Sequence, residues 1–382
     1  MNDEKNEKLT PESLIVEPAP SAPIGPRPWY LKHRKALIIG AVTLVLAAGA
    51  GALGWSLAKP KPAAVTPEAS ASPSPTPAPT PATKASALTG LMVDAALADR
   101  PVTAVVVENH PEARPQAGLG EAGVVYESVA EGGITRFLAL FQDTRPATIG
   151  PVRSLRTYHV DWGLEFNAPV AHAGGNAAAL DLVGPLKMKD INALSFAADG
   201  FYRDRTRRVS SEHTLFTTSD RLDALNQRLG FNQPANFTVS PRKADTPNPT
   251  PPHPNIRLDF SYGGYEVEYT YDPAANNYAR KMAGAPHVDR NNGAQIRVKN
   301  LVVQMMPTTY GKSRIGEQMT TMATVGRGTG WVIRDGGVVP ITWVKDSHAA
   351  RTKLLDAAGA EVPLNAGNTW YEIIPIGKNV SF

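Results

Sequence analysis

Four short stretches between residues 127 and 214 set ionisable side chains beside glycines or other small residues at the ends of apolar runs. They are Glu127 together with "EGGITR" (131–136), "IGPVRSLR" (149–156), "HAGGN" (172–176) and "RRVSSEHT" (207–214). Arg136, Arg153 and Arg156 offer planar guanidinium forks, which match phosphate or carboxylate. Arg153 and Arg156 are three apart and would share one face of a helix. His172 and His213 carry the side chain that titrates closest to neutrality, so they are the candidate proton carriers. "VAHAGGNAAALDLV" reads as a strand, a glycine turn at Gly174 and Gly175, and a helix capped by Asn176. The N–H groups at such a helix start attract anions. These residues are predicted to line one Arg/His/Gly ligand-binding pocket, with His172, His213, Glu127 and Glu131 as the catalytic candidates.

Each feature also has a plainer reading. The arginines would form ion pairs with Glu127, Glu131 or Asp161, the glycines would only permit a tight turn, and His172 would be a satisfied, partly buried side chain. Glu127 and Glu131 are four apart in a run read as strand, which would put both on one face. Paired carboxylates serve glycosidases, but a role as counter-ions for the arginines is the preferred reading. Complete catalytic signatures are missing: there is no GxSxG, Walker loop or HExxH, and the "HAGGN" turn is not GxGxxG. A metal held by His172, His213 and a carboxylate lacks a tight histidine pair, and neither metal nor cofactor is expected. The chain has no cysteine, which excludes disulfides, thiol catalysis and zinc–thiolate sites. Its 39 basic and 35 acidic residues give only +4, so nucleic acid is not an expected partner.

The elements that must position these groups follow from hydrophobic patterning. "PVTAVVVEN" (101–109) is a buried strand, and 122–131 with 134–143 form a hairpin across Gly132-Gly133. Within "EGGITRFLAL", Ile134, Leu138 and Leu140 share a face with Arg136. Arg136 therefore either lies under the sheet, paired with Glu127 or Glu131, or opens into a cleft; the cleft is the expectation. Residues 156–166 have helical spacing, 212–219 read as a strand, and Ser219 would cap a helix that stops at Gly230. The N-terminal globular domain, 88–232, is thus α+β or α/β. Residues 233–254 are a Pro-rich linker. Alternating runs with turn glycines predict a mainly β C-terminal domain over 255–382.

Upstream, 1–35 is a polar, Pro-rich tail read as disordered and cytoplasmic. Residues 36–58 carry no charge, enough to span a bilayer as a single transmembrane helix. Lys32, Arg34 and Lys35 flank it and orient the remainder outward. A cleaved signal peptide is the competing reading, disfavoured by the long polar segment ahead of the run. Residues 59–87, rich in Pro, Ala, Ser and Thr, form an extended spacer.

"RPQAGLGEAGVVYESVAEGGITRFLALFQ", "IGPVRSLRTYHVDWGLEFNA", "HAGGN", "ITWVK" and "LNAGNTWYEIIP" together resemble the YerB-type family of bacterial envelope proteins. The resemblance spans about residues 90–378. It implies an extracytoplasmic protein tethered to the outer face of the membrane, built from a two-part domain of unknown function. Many relatives look like lipoproteins; this sequence lacks the cysteine for that, so a membrane helix would replace the lipid. The resemblance brings no reaction. The expected function is binding of an anionic cell-wall polymer or an envelope assembly partner through the Arg/His/Gly pocket. The alternative is a hydrolase or transferase acting on an anionic envelope substrate there.

Overall fold

Runs of Val, Ala, Phe and Leu build the first three strands of the frame: β1 (Thr103–Glu108), β2 (Val124–Val129) and β3 (Thr135–Phe141). Every residue in all three is buried, as expected of strands covered on both faces. The computed structural model describes residues 82–382; the expected tail, membrane helix and nearly all of the spacer lie outside the described residues. Among the described residues no helix is long and apolar enough to cross a membrane. The β2–β3 turn falls where predicted, with Gly132 and Gly133 both at positive φ (69° and 74°).

Helix α1 (Thr157–Glu165), β4 (Val170–His172), α2 (Ala177–Val183), β5 (Asp190–Asn192), α3 (Ala193–Gly200) and α4 (Ser219–Leu229) follow. Gly230 ends α4 at φ 72°, as expected, but the N-cap is Thr218, whose hydroxyl accepts from Arg221 N. Ser219, the predicted cap, instead donates to the Pro146 carbonyl. The predicted strand 212–219 is reduced to Leu215–Phe216, behind a single tight turn at Ser211–His213.

The second half is mainly β, as predicted. A hairpin pair, β6 (Asn255–Asp259) and β7 (Glu266–Asp272), continues into β8 (Asn277–Met282). Then come β9 (Asn300–Met306), β10 (Thr308–Lys312), β11 (Gln318–Met322), β12 (Gly326–Arg334), β13 (Gly337–Lys345), β14 (Lys353–Leu355) and β15 (Thr369–Pro375).

The two halves do not keep separate sheets. One ten-stranded sheet runs β14-β13-β12-β9-β15-β2-β3-β1-β4-β5. Its seam is a parallel pairing of β15 with β2, Tyr371 opposite Tyr126 and Glu372 opposite Glu127. The predicted linker takes part as well: Arg242–Lys243 pairs in parallel with Leu364–Asn365. A division at 233–254 thus describes the chain order, while the core is shared.

Period-two alternation across the seam decides what each face meets. Tyr126 stacks on Trp162 of α1 at 4.7 Å and on Tyr371 at 4.4 Å, so these residues face the helix. Glu127, Phe137, Trp370 and Glu372 face the other way, against the smaller antiparallel sheet containing β6, β7 and β8.

Candidate functional site

Arg136 settles the question its sequence raised. It stands opposite Glu108 in the β1–β3 register and is 5 % exposed. A guanidinium nitrogen lies 3.8 Å from the Glu108 carboxylate, and another donates to the Ser154 carbonyl at 3.1 Å. The expected cleft is not there. The expected partner Glu127 is excluded by the pleat, because it points to the opposite face. Arg153 also binds Glu108 and reaches Glu212 at 3.4 Å. Burial pushes the Glu108 carboxyl up, but Arg136 and Arg153 outweigh it and hold the group below the usual carboxylate range.

Arg156 forms a two-pronged pair with Glu131, with distances of 2.8 and 2.7 Å from Nε. This fulfils the counter-ion reading for Glu131. The predicted sharing of a helix face by Arg153 and Arg156 fails, since α1 starts at Thr157 and Arg156 is its extended N-cap. Glu127 and Glu131 do not share a strand face either: β2 ends at Val129, and Glu131 sits in the turn.

Glu127 belongs to the core. It is fully buried and pairs with Arg280, which is also fully buried. It accepts from Thr135 Oγ1 at 2.6 Å and from Asn109 Nδ2 at 3.2 Å. Arg280 Nε donates to Tyr269 Oη at 2.9 Å, and Tyr269 in turn bonds Glu372. His287 Nδ1 is 2.8 Å from Arg280, and its ring is held neutral by burial and by that cation. Burial, only partly offset by Arg280, pushes the Glu372 carboxyl up to about 8. This buried network ties β2 and β15 to β7 and β8.

His172 is fully buried, with both ring nitrogens engaged: Nδ1 2.7 Å from the Gly174 carbonyl and Nε2 2.6 Å from Asp190 Oδ1. It locks β4 to β5 and is removed from the role of proton carrier. The glycine turn is closed as well. Gly174 N donates to Asn192 Oδ1 at 3.1 Å, Gly175 bridges to Leu155, and Asn176 caps α2 by accepting from Ala179 N at 2.9 Å. The turn is therefore a packing device and not an anion cradle.

His213 is buried (3 % exposed) and lies elsewhere. Its ring stacks on His110 at 4.7 Å and 5° between planes, with Nε2 3.6 Å from Glu212 and 3.8 Å from Glu112. The predicted pocket thus separates into three places. Arg136, Arg153 and His213 are linked through Glu108 and Glu212; Arg156 closes on Glu131; and His172 with Gly174, Gly175 and Asn176 forms the β4 turn. Glu108, His110 and Glu112 were missed, although "ENHPE" (108–112) ends a buried strand and carries three ionisable side chains in five residues.

A separate groove of about 650 Å³ opens where the two halves meet. Gly120, Ala122, Asp143 and Thr144 come from the first half, Lys299 and Asn368 from the second, with Leu91 and Val93 at its margin. None of the predicted site residues lines it.

Family models for the N-terminal and C-terminal domains of "Protein of unknown function (DUF3048)" match residues 88–232 and 256–371. The chain belongs to the DUF3048 family. The shared sheet makes the two family domains one core. Among relatives, the chain is 31 % identical over 295 residues to "Putative lipoprotein YerB" of Bacillus subtilis, covering 75 % of this chain and 85 % of that one. It is also similar to the crystal structure of the Bacillus subtilis YerB protein, with TM-score 0.69 and 29 % identity, covering 78 % of this chain and 99 % of that one.

Proposed function

We propose that this DUF3048 protein is a non-enzymatic binding module of the cell envelope, held at the outer face of the membrane by the apolar run 36–58. Its seat is the groove between the two family domains, and its ligand is an extended peptide segment of an envelope partner protein. The name of the Bacillus subtilis relative supports the envelope setting. Against the enzyme reading stands the internal pairing of every guanidinium in the expected pocket.

The observation that carries the peptide reading is the margin of the groove. Met92–Asp94 pairs only with Thr83–Ala85 in a two-stranded sheet, so one edge of the strand is free among the described residues. A free edge accepts an added strand. Beside it Leu91 and Met92 are 44 % and 64 % exposed, which offers apolar contact to alternate side chains. Among the described residues no aromatic ring lines the groove to stack on a sugar. Its lysine, Lys299, is already paired with Asp245, while Glu121 and Asp143 add negative charge. An anionic wall polymer is therefore disfavoured, and a neutral or basic peptide is preferred.

The test is selection of peptides from a displayed random library on the purified full chain, followed by titration calorimetry. Apolar, neutral or basic peptides are expected, with binding lost in Leu91→Asp and kept in Arg153→Ala. Binding of purified anionic wall polymer, abolished by Arg153→Ala, would overturn the reading.

A further inference from the structure

Beyond the groove, the structure holds a group of side chains with no role in it. His110, Glu112 and His213 each bring one ligand atom, and these atoms lie within 4.8 Å of one another. We propose that the three form a binding site for a divalent zinc-like cation, with two imidazoles and one carboxylate as protein ligands and a fourth position open.

Two tight turns build the site. His110 caps the turn Pro111–Ala113 that follows β1, and its Nδ1 accepts the Glu112 backbone N–H at 3.3 Å. Metal binding through either ring nitrogen displaces this contact, because a ligating imidazole gives one nitrogen to the metal and carries its proton on the other. His213 ends the turn Ser211–His213, which Arg203 braces through the Ser211 carbonyl. The separations fit an ion better than hydrogen bonds. His213 Nε2 is 3.8 Å from Glu112 and 3.6 Å from Glu212, too long for direct bonds. Two ligands each about 2.1 Å from a tetrahedral zinc stand about 3.4 Å apart.

Charge points the same way. His213 is 3 % exposed, and its Nε2 faces the Glu112 and Glu212 carboxylates without a direct bond to either. Glu108, Glu112 and Glu212 bring three negative charges, against Arg136 and Arg153. A cation at the site offsets the remainder. Two imidazoles and a carboxylate suit zinc or a neighbouring first-row divalent metal rather than calcium or magnesium, which prefer all-oxygen sets.

The metal-stripped full chain in detergent would be titrated with zinc by calorimetry, and with cobalt(II), whose absorption reports a tetrahedral ligand set. One metal per chain is expected, with affinity falling about 100-fold or more in His110→Ala and in Glu112→Gln. Glu112 is exposed and His110 half-buried, and thermal melting confirms that the variants fold. His348→Ala, which removes an exposed histidine paired with Asp161, is expected to bind as the parent does. The proposal is overturned if the parent chain binds no zinc, or if both ligand variants bind it unchanged. Peptide binding in the groove is read separately, so either idea can fail alone.

Discussion

Replacing Glu127 by Gln tests the claim that this carboxylate is a core element and not a catalyst. The substitution keeps the shape and the bonds from Thr135 and Asn109 but removes the charge that faces Arg280. Both partners are fully buried, so the guanidinium is left without its main counter-ion. Breaking a buried pair on one side costs about 3–5 kcal/mol. Glu372 tempers the loss. It lies 4.0 Å from Arg280, and its carboxyl is raised by burial and by the charge of Glu127. Without that like charge Glu372 ionises more readily and partly replaces Glu127, which places the single substitution near the lower figure. With an unfolding entropy of about 2.1 cal/mol/K per residue over roughly 300 residues, 3 kcal/mol lowers Tm by about 5 °C. Glu127→Gln/Glu372→Gln removes the substitute, so its loss should exceed the sum of the two single losses. The assay is a double-mutant cycle by urea and thermal unfolding, followed by circular dichroism. A loss below about 1 kcal/mol in Glu127→Gln, or strict additivity, refutes the reasoning.

Three further outcomes follow from the same coordinates. The Glu372 carboxyl is raised from 4.5 to about 8 in the fold, so its contribution is full below the unfolded value and is lost as pH rises through about 8; Glu372→Gln should flatten the fall in stability between about pH 5 and 8, measured by urea midpoints across that range. A Cβ on Gly330 would stand 2.1 Å from the Val303 carbonyl oxygen of the neighbouring strand; Gly330→Ala should cost about 3 kcal/mol, or prevent soluble expression, and a loss under about 0.5 kcal/mol contradicts it. Asn176→Ala removes the α2 cap and should cost about 1 kcal/mol in unfolding free energy, with no effect on peptide binding.

The strands and helices were legible wherever one local rule dominated. The unbroken apolar run 101–109 became β1, and the glycine pair at 132–133 became the β2–β3 turn. Asn176 capped α2, and Gly230 stopped α4. Element ends were harder, because caps depend on one hydrogen bond: Thr218 won over Ser219 since the serine hydroxyl finds the Pro146 carbonyl. The predicted helix carrying Arg153 and Arg156 failed because that stretch is held extended: Arg153 N donates to the Val106 carbonyl, and Leu155 N donates to the Gly174 carbonyl.

The site was less legible. Reading the arginines as candidates was sound chemistry, but their partners lie at distances that sequence spacing does not encode. Arg136 meets Glu108 through strand register, and Arg280 reaches Glu127 from 153 positions away. By itself the sequence determined the order of elements, the mainly β second half, the family and the set of ionisable groups, since these follow from local pattern and composition. Only the tertiary structure decided that the halves share one sheet and that Arg136, Arg153 and Arg156 are held by carboxylates inside the fold. It alone brought His110, Glu112 and His213 together. Period two sends alternate residues of β2 and β15 to opposite faces, and which element covers each face is set by packing across the whole chain.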